Sequence, residues 1–131
     1  MTLEIRDTLL KETKALPATA THAETDGIDL GAGDHHANVE LLLSAPALTN
    51  AQLGSGHTMT YKIQTDDDSA FGSPTDLIPS CIVQTGAGAG AAADTYRFRM
   101  PSDGERYVRA MATASAADDA SAAEMTLELL A

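Results

Sequence analysis

Three observations predict an all-β chain: a jelly-roll-like antiparallel β-sandwich of about eight strands with an N-terminal arm. Alternation of apolar and polar residues with period two recurs along most of the sequence, turn residues interrupt it repeatedly, and no interior stretch carries a helical apolar stripe. Residues 57–65 show the pattern best. His57, Met59, Tyr61 and Ile63 alternate with Thr58, Thr60, Lys62 and Gln64, and the run ends in the acidic turn Asp66-Asp67-Asp68-Ser69.

Residues 1–22 do not alternate cleanly and are assigned to the arm, leaving 23–131 as one sandwich domain. Asp7 or Thr8 would cap a short helix ending before Pro17, but an extended arm is the preferred reading. Strands are expected at 27–30 and at 37–44, where Val39, Leu41 and Leu43 share a face. Pro46 and the polar stretch 50–56 interrupt, and after the strand of 57–65 another runs over 79–85. Gly86-Ala87-Gly88-Ala89-Gly90 reads as a flexible loop, with too little side chain to fix one conformation.

Strands at 94–100 and 106–115, joined by Pro101-Ser102-Asp103-Gly104-Glu105, read as the clearest hairpin in the chain. Residues 115–123 are alanine-rich but lie between two strand patterns without an apolar stripe, so a long loop is expected. The sequence closes on a strand in which Met125, Leu127 and Leu129 alternate with Thr126 and Glu128. Two packed sheets follow from this count. The cysteine pair around a tryptophan that marks immunoglobulin domains is missing, which favours the jelly roll.

A chain of 131 residues fits one domain, which buries roughly two-thirds of its unfolded surface. The core is built from small side chains: there is no Trp, only two Phe and three Tyr, and Ala is the commonest residue. Association is therefore expected to add stability, and a homodimer or homotrimer is predicted. A formal charge of −11 repels a phosphate backbone, so no nucleic-acid partner is expected. No apolar run approaches the length of a membrane span, and the N-terminus lacks a basic region followed by an apolar block, so neither membrane insertion nor that secretory route is expected. The one cysteine, Cys81, lies in a short apolar run and reads as a buried free thiol.

Chemical motifs are sparse. Asp66, Asp67 and Asp68 could start an oxygen-ligand set for calcium, but successive strand side chains point to opposite sides and no spaced Glu completes a cage. Adjacent His35 and His36 lack the spacing that puts two imidazoles on one helical face. No G-x-S-x-G elbow surrounds Ser73, and no Gly-Lys-Ser or Gly-Lys-Thr follows the glycine loop. No catalytic residue, cofactor or metal is assigned. Four of the five arginines, Arg97, Arg99, Arg106 and Arg109, fall within thirteen positions. On a hairpin they would form an exposed basic strip, meeting either a partner's acidic groups or this chain's own carboxylates. A second candidate contact is the arm, through Leu3, Ile5, Leu9 and Leu10.

Read in order, several segments resemble one family. Ala18-Thr19-Ala20-Thr21, Gly27-Ile28-Asp29-Leu30-Gly31, Tyr61-Lys62-Ile63-Gln64-Thr65 running into Asp66-Asp67-Asp68-Ser69-Ala70-Phe71-Gly72-Ser73-Pro74-Thr75, and Glu105-Arg106-Tyr107-Val108-Arg109 are similar to the small capsid cement proteins of tailed bacteriophages. These are decoration proteins of jelly-roll type, first described on a Bordetella phage. The resemblance spans nearly the whole chain. It implies a non-enzymatic protein of the virion that is made in the host cytoplasm, assembles as a small homo-oligomer on the outer capsid surface and clamps neighbouring major capsid protein subunits. The Ala- and Gly-rich loops at 86–93 and 114–123 and the long arm depart from the family pattern. Two other functions stand behind it: another phage structural module such as a tail, fibre or connector component, and a carbohydrate-binding β-sandwich. The last is weakened by the lack of Trp, since only Tyr61, Tyr96 and Tyr107 could offer an aromatic platform.

Overall fold

The computed structural model describes residues 11–30, 40–100 and 104–130. They form nine strands: β1 (Lys11–Ala15), β2 (His22–Glu24), β3 (Ile28–Asp29), β4 (Glu40–Ala45), β5 (Thr58–Asp66), β6 (Thr75–Thr85), β7 (Asp94–Arg99), β8 (Tyr107–Ala114) and β9 (Glu124–Leu129). One sheet has the order β1-β9-β4-β7 and the other β2-β8-β5-β6, with β3 also on β8. All pairings are antiparallel. The pairings are nested: β5 with β6, β4 with β7, β2 and β3 with β8, β1 with β9. That is one long hairpin rolled into two facing sheets, the jelly-roll topology.

Alternation explains each core strand. Along β4 Leu41, Leu43 and Ala45 point inward, along β9 Met125, Leu127 and Leu129, and along β5 Met59, Tyr61 and Ile63. Alanine dominates β8, and the register shows its use: Met59 lies opposite Ala114, Tyr61 opposite Ala112 and Ile63 opposite Ala110. Each large side chain thus has a small neighbour, which lets the two sheets interdigitate without aromatic bulk. Ala120 plugs one end of the core at 0% exposure, held by its amide on the Pro17 carbonyl (3.1 Å).

Besides β2, where no strand was expected, the sequence expectations fail in four places. Residues 11–15, placed in the arm, are an edge strand of the sandwich, because Lys11–Ala15 pairs in register with β9. The predicted hairpin of 94–100 and 106–115 does not exist, since β7 pairs with β4 in one sheet while β8 pairs with β5 in the other. A short link between two alternating strands is equally compatible with crossing between sheets, and local pattern does not distinguish the cases. β6 begins at Thr75 and runs through Pro79, tolerated because β6 is an edge and the register shifts nearby.

The glycine loop, fourth, is held by its backbone. The Gly86 amide donates to the His57 carbonyl and its carbonyl accepts from Gly56, both at 2.9 Å, while Leu48 and Ala91 bridge through two 2.9 Å bonds. A Cβ on Gly86 would fall 2.0 Å from the Gly54 oxygen, and one on Gly90 1.9 Å from the Leu48 oxygen. Lack of side chain there permits close approach of two backbone segments.

Candidate interaction surface

The crossing of β7 and β8 to opposite sheets divides the predicted basic strip. Arg97 and Arg99 lie exposed on the outer face of β7, where Arg97 pairs with Glu40 of β4 (Nη2 to Oε1, 3.0 Å). That guanidinium lowers the Glu40 carboxyl below its ordinary value. Arg106 and Arg109 belong to the other sheet. Arg106 makes a two-pronged contact with Asp29 (2.8 and 2.9 Å) and lies over the Tyr107 ring. Its charged form is favoured by Asp29, which raises its pKa. Arg97 and Arg106 therefore pair with carboxylates of this chain, the intramolecular alternative in the sequence reading. Leu3, Ile5, Leu9 and Leu10, with His35 and His36, lie outside the described residues.

Arg109 anchors a network at one end of the second sheet. Its guanidinium carbon sits 4.3 Å from the centre of the Phe71 ring, and its Nε donates to Gln64 (2.9 Å). Gln64 in turn donates to Asp76 (3.0 Å), which also accepts from Lys62 (3.2 Å). The Gln64 bond and then Lys62 hold the Asp76 carboxyl below the usual range. Phe71 takes a left-handed backbone (φ 51°), strained for a large residue and retained because its ring is buried beside Gly27. A Cβ on Gly27 would lie 2.6 Å from that ring.

The acidic turn has a structural use. One Asp66 carboxylate oxygen accepts from the Ser73 amide (2.9 Å) and the other from Asp68 (3.2 Å), and these donors lower its pKa. Thr65 accepts from the Glu105 amide (2.7 Å) and donates to the Tyr107 carbonyl (2.9 Å). Sequence reasoning saw Asp66 as a solvated turn and missed its burial at 4% exposure. Asp-x-x-x-x-x-x-Ser across a turn was the only available signal, and it is weak.

Elsewhere, His57 Nδ1 meets Asp118 at 2.6 Å, and Asp118 also accepts the Gly54 amide at 2.9 Å. The amide, then the imidazole, lowers the Asp118 pKa. This is a carboxylate–imidazole pair, and among the described residues no serine or cysteine is bonded to that imidazole. No group of three His, Cys, Asp or Glu among the described residues is placed to hold a metal. Cys81 is half-buried, its thiol directed at the Tyr61 carbonyl (3.4 Å) and pushed up to about 11 by burial. No tyrosine is fully exposed: Tyr61 is buried, and Tyr96 and Tyr107 are half-buried.

No family model matches the chain, and no curated protein matches it. Among solved structures it is similar to a family 16 carbohydrate-binding module, at 15% identity and a TM-score of 0.38, covering 91% of this chain and 74% of that one. An empty virus-like particle of cowpea mosaic virus is similar at 8% identity and a TM-score of 0.45, covering 92% and 76%. The C-terminal domain of EclA, a sugar-binding protein, is similar at 5% identity and 0.38, covering 91% and 76%. These are distant likenesses of β-sandwich architecture and carry nothing about function.

Proposed function

We propose that this chain is a non-enzymatic structural protein that decorates and cements the outside of a tailed-phage capsid by binding major capsid protein subunits. The observation that carries the reading is convergence. The segments that resemble the cement proteins are distant in sequence, yet their residues meet in pairs on one sheet: Arg106 with Asp29, and Arg109 with Gln64 and Phe71. Residues that hold one another in this way explain why those segments occur together. A repeating shell favours such a scaffold, since modest contacts gain from multivalency when several subunits are engaged. The charge of −11 keeps the free protein dispersed before it binds.

The test is binding of purified protein to undecorated expanded capsids, with occupancy read by electron microscopy. Occupancy is expected to saturate, and failure to bind any tailed-phage capsid would sink the reading. Two variants separate the candidate contacts. Charge reversal of Arg97 and Arg99 to Glu tests the outer face of β7, with lost occupancy and a salt-sensitive wild type expected if that face meets acidic groups. Removal of residues 1–10, which leaves β1 whole, tests Leu3, Ile5, Leu9 and Leu10.

A further inference from the structure

Among the described residues the edges are β1 and β7 of one sheet, and β6 and, on the far side of β8, β2 with the short β3 of the other. Unpaired backbone on an edge is a template for another strand, and proteins commonly guard it with charge. Three of these edges are guarded: β1 carries Lys11, Glu12 and Lys14, β2 carries His22 and Glu24, and β7 carries Asp94, Arg97 and Arg99. β6 differs. From residue 77 to residue 93 no side chain is charged, in a protein of net charge −11. Val83 lies in the middle of this stretch, 52% exposed.

The backbone directions follow from the ladder. Gly86 spends its amide and carbonyl on the β5 side, with His57 and Gly56. By the period of two, Gln84 and Ile82 do the same, Val83 and Thr85 turn theirs toward the open edge, and the Cys81 carbonyl, trans to the Ile82 amide, points there too. Among the described residues no strand pairs with that edge. Beside it runs an open groove of about 360 Å³, lined by Val83, Thr85, Ala87, Ala91 and Ala93 among others, with Asp94 the one charged residue on its lining. Walls of alanine leave room for a main chain next to the edge.

We infer that β6 is a homodimer interface, in which residues 81–85 of two copies pair antiparallel across a two-fold axis. Two like-charged copies meet with least repulsion where neither carries charge, and a two-fold pairing sets this neutral stretch against itself. With the axis at Val83, Val83 faces its own counterpart in a pair that exchanges two backbone bonds, and Cys81 faces Thr85. Pro79 has no amide to donate and bounds the pairing at one end. Dimerisation in solution and binding to a shell are separate measurements, so either reading can fail without the other.

Sedimentation velocity across the micromolar range tests the interface. The wild type is expected to approach twice 13.6 kDa with increasing concentration. Val83→Lys sets two ammonium groups against each other at the axis, and Val83→Pro removes an outward amide while leaving the bonds to β5. Both are expected to sediment as monomers with unchanged far-ultraviolet circular dichroism; if the proline variant unfolds, the lysine variant alone decides. A wild type that stays monomeric overturns the inference, as does a dimer that survives the lysine substitution. A monomeric wild type whose capsid occupancy falls on Val83→Lys overturns it too, and reassigns the edge to a strand from the shell protein.

Discussion

Gln84 is the polar residue on which most of one seam depends. Only 4% exposed, it accepts from the Tyr61 hydroxyl (2.7 Å) and donates to the carbonyls of Pro46 (2.8 Å) and Ala92 (3.0 Å). It therefore ties β5 to two loops, and burial pushes the Tyr61 phenol well above its ordinary value. Replacing Gln84 by Leu strands two carbonyls and a hydroxyl, and is expected to cost about 3 kcal/mol in urea unfolding. Tyr61→Phe removes one partner, with an expected cost of about 1.5 kcal/mol. Equal effects of the two variants would show that the carbonyls find other donors.

Among the elements, the loop of residues 86–93 separates two uses of glycine. Gly90 has φ +79° and a neighbouring carbonyl where a Cβ would stand, whereas Gly88 has φ +93° with nothing within 4 Å. Gly88→Ala incurs only left-handed strain, expected at about 1 kcal/mol. Gly90→Ala adds a collision with the Leu48 carbonyl and should cost about 3 kcal/mol or more. Denaturant midpoints for the pair read the difference directly, and similar losses would mean that the Leu48 bridge yields easily. Composition alone made this loop look interchangeable residue by residue. The distinction lies in the Leu48–Thr49 backbone, which passes behind Gly90 and not behind Gly88.

For the molecule as a whole, acid is the expected point of failure. Asp66, Asp76, Asp118 and Asp119 all have lowered pKa values, through the Ser73 amide, Gln64, the Gly54 amide and Ser121 respectively. Each lowered carboxyl contributes stability that is fully present above its unfolded value near 3.8 and is lost as pH falls through the folded value. Glu12, raised by burial and then by Asp26, acts in the opposite sense. Urea midpoints should therefore change little between neutral pH and about 5 and then fall steeply below the ordinary Asp value. Asp66→Asn offers one acceptor where two amides need it, so it should lower the midpoint at neutral pH and flatten the acid limb. An unchanged acid limb would mean that other carboxylates dominate.

The strands were legible in the sequence because each buries one face, and period-two alternation is the direct imprint of that burial: Leu41 and Leu43, Met59 to Ile63, Met125 to Leu129. The jelly-roll class followed from the number of such runs and the absence of a helical stripe. Lys11–Ala15 was missed because an edge strand with mixed exposure has no alternation to show. What only the tertiary structure decided was which strands share a sheet. The placement of β7 and β8 in opposite sheets separated Arg97 and Arg99 from Arg106 and Arg109, and the same placement brought Asp29, Gln64 and Phe71 around the second pair. Alternation specifies an inward and an outward side for each strand and is silent on its neighbours. Those are chosen by the packing of all strands at once, where Ala110, Ala112 and Ala114 give Tyr61 and its companions room.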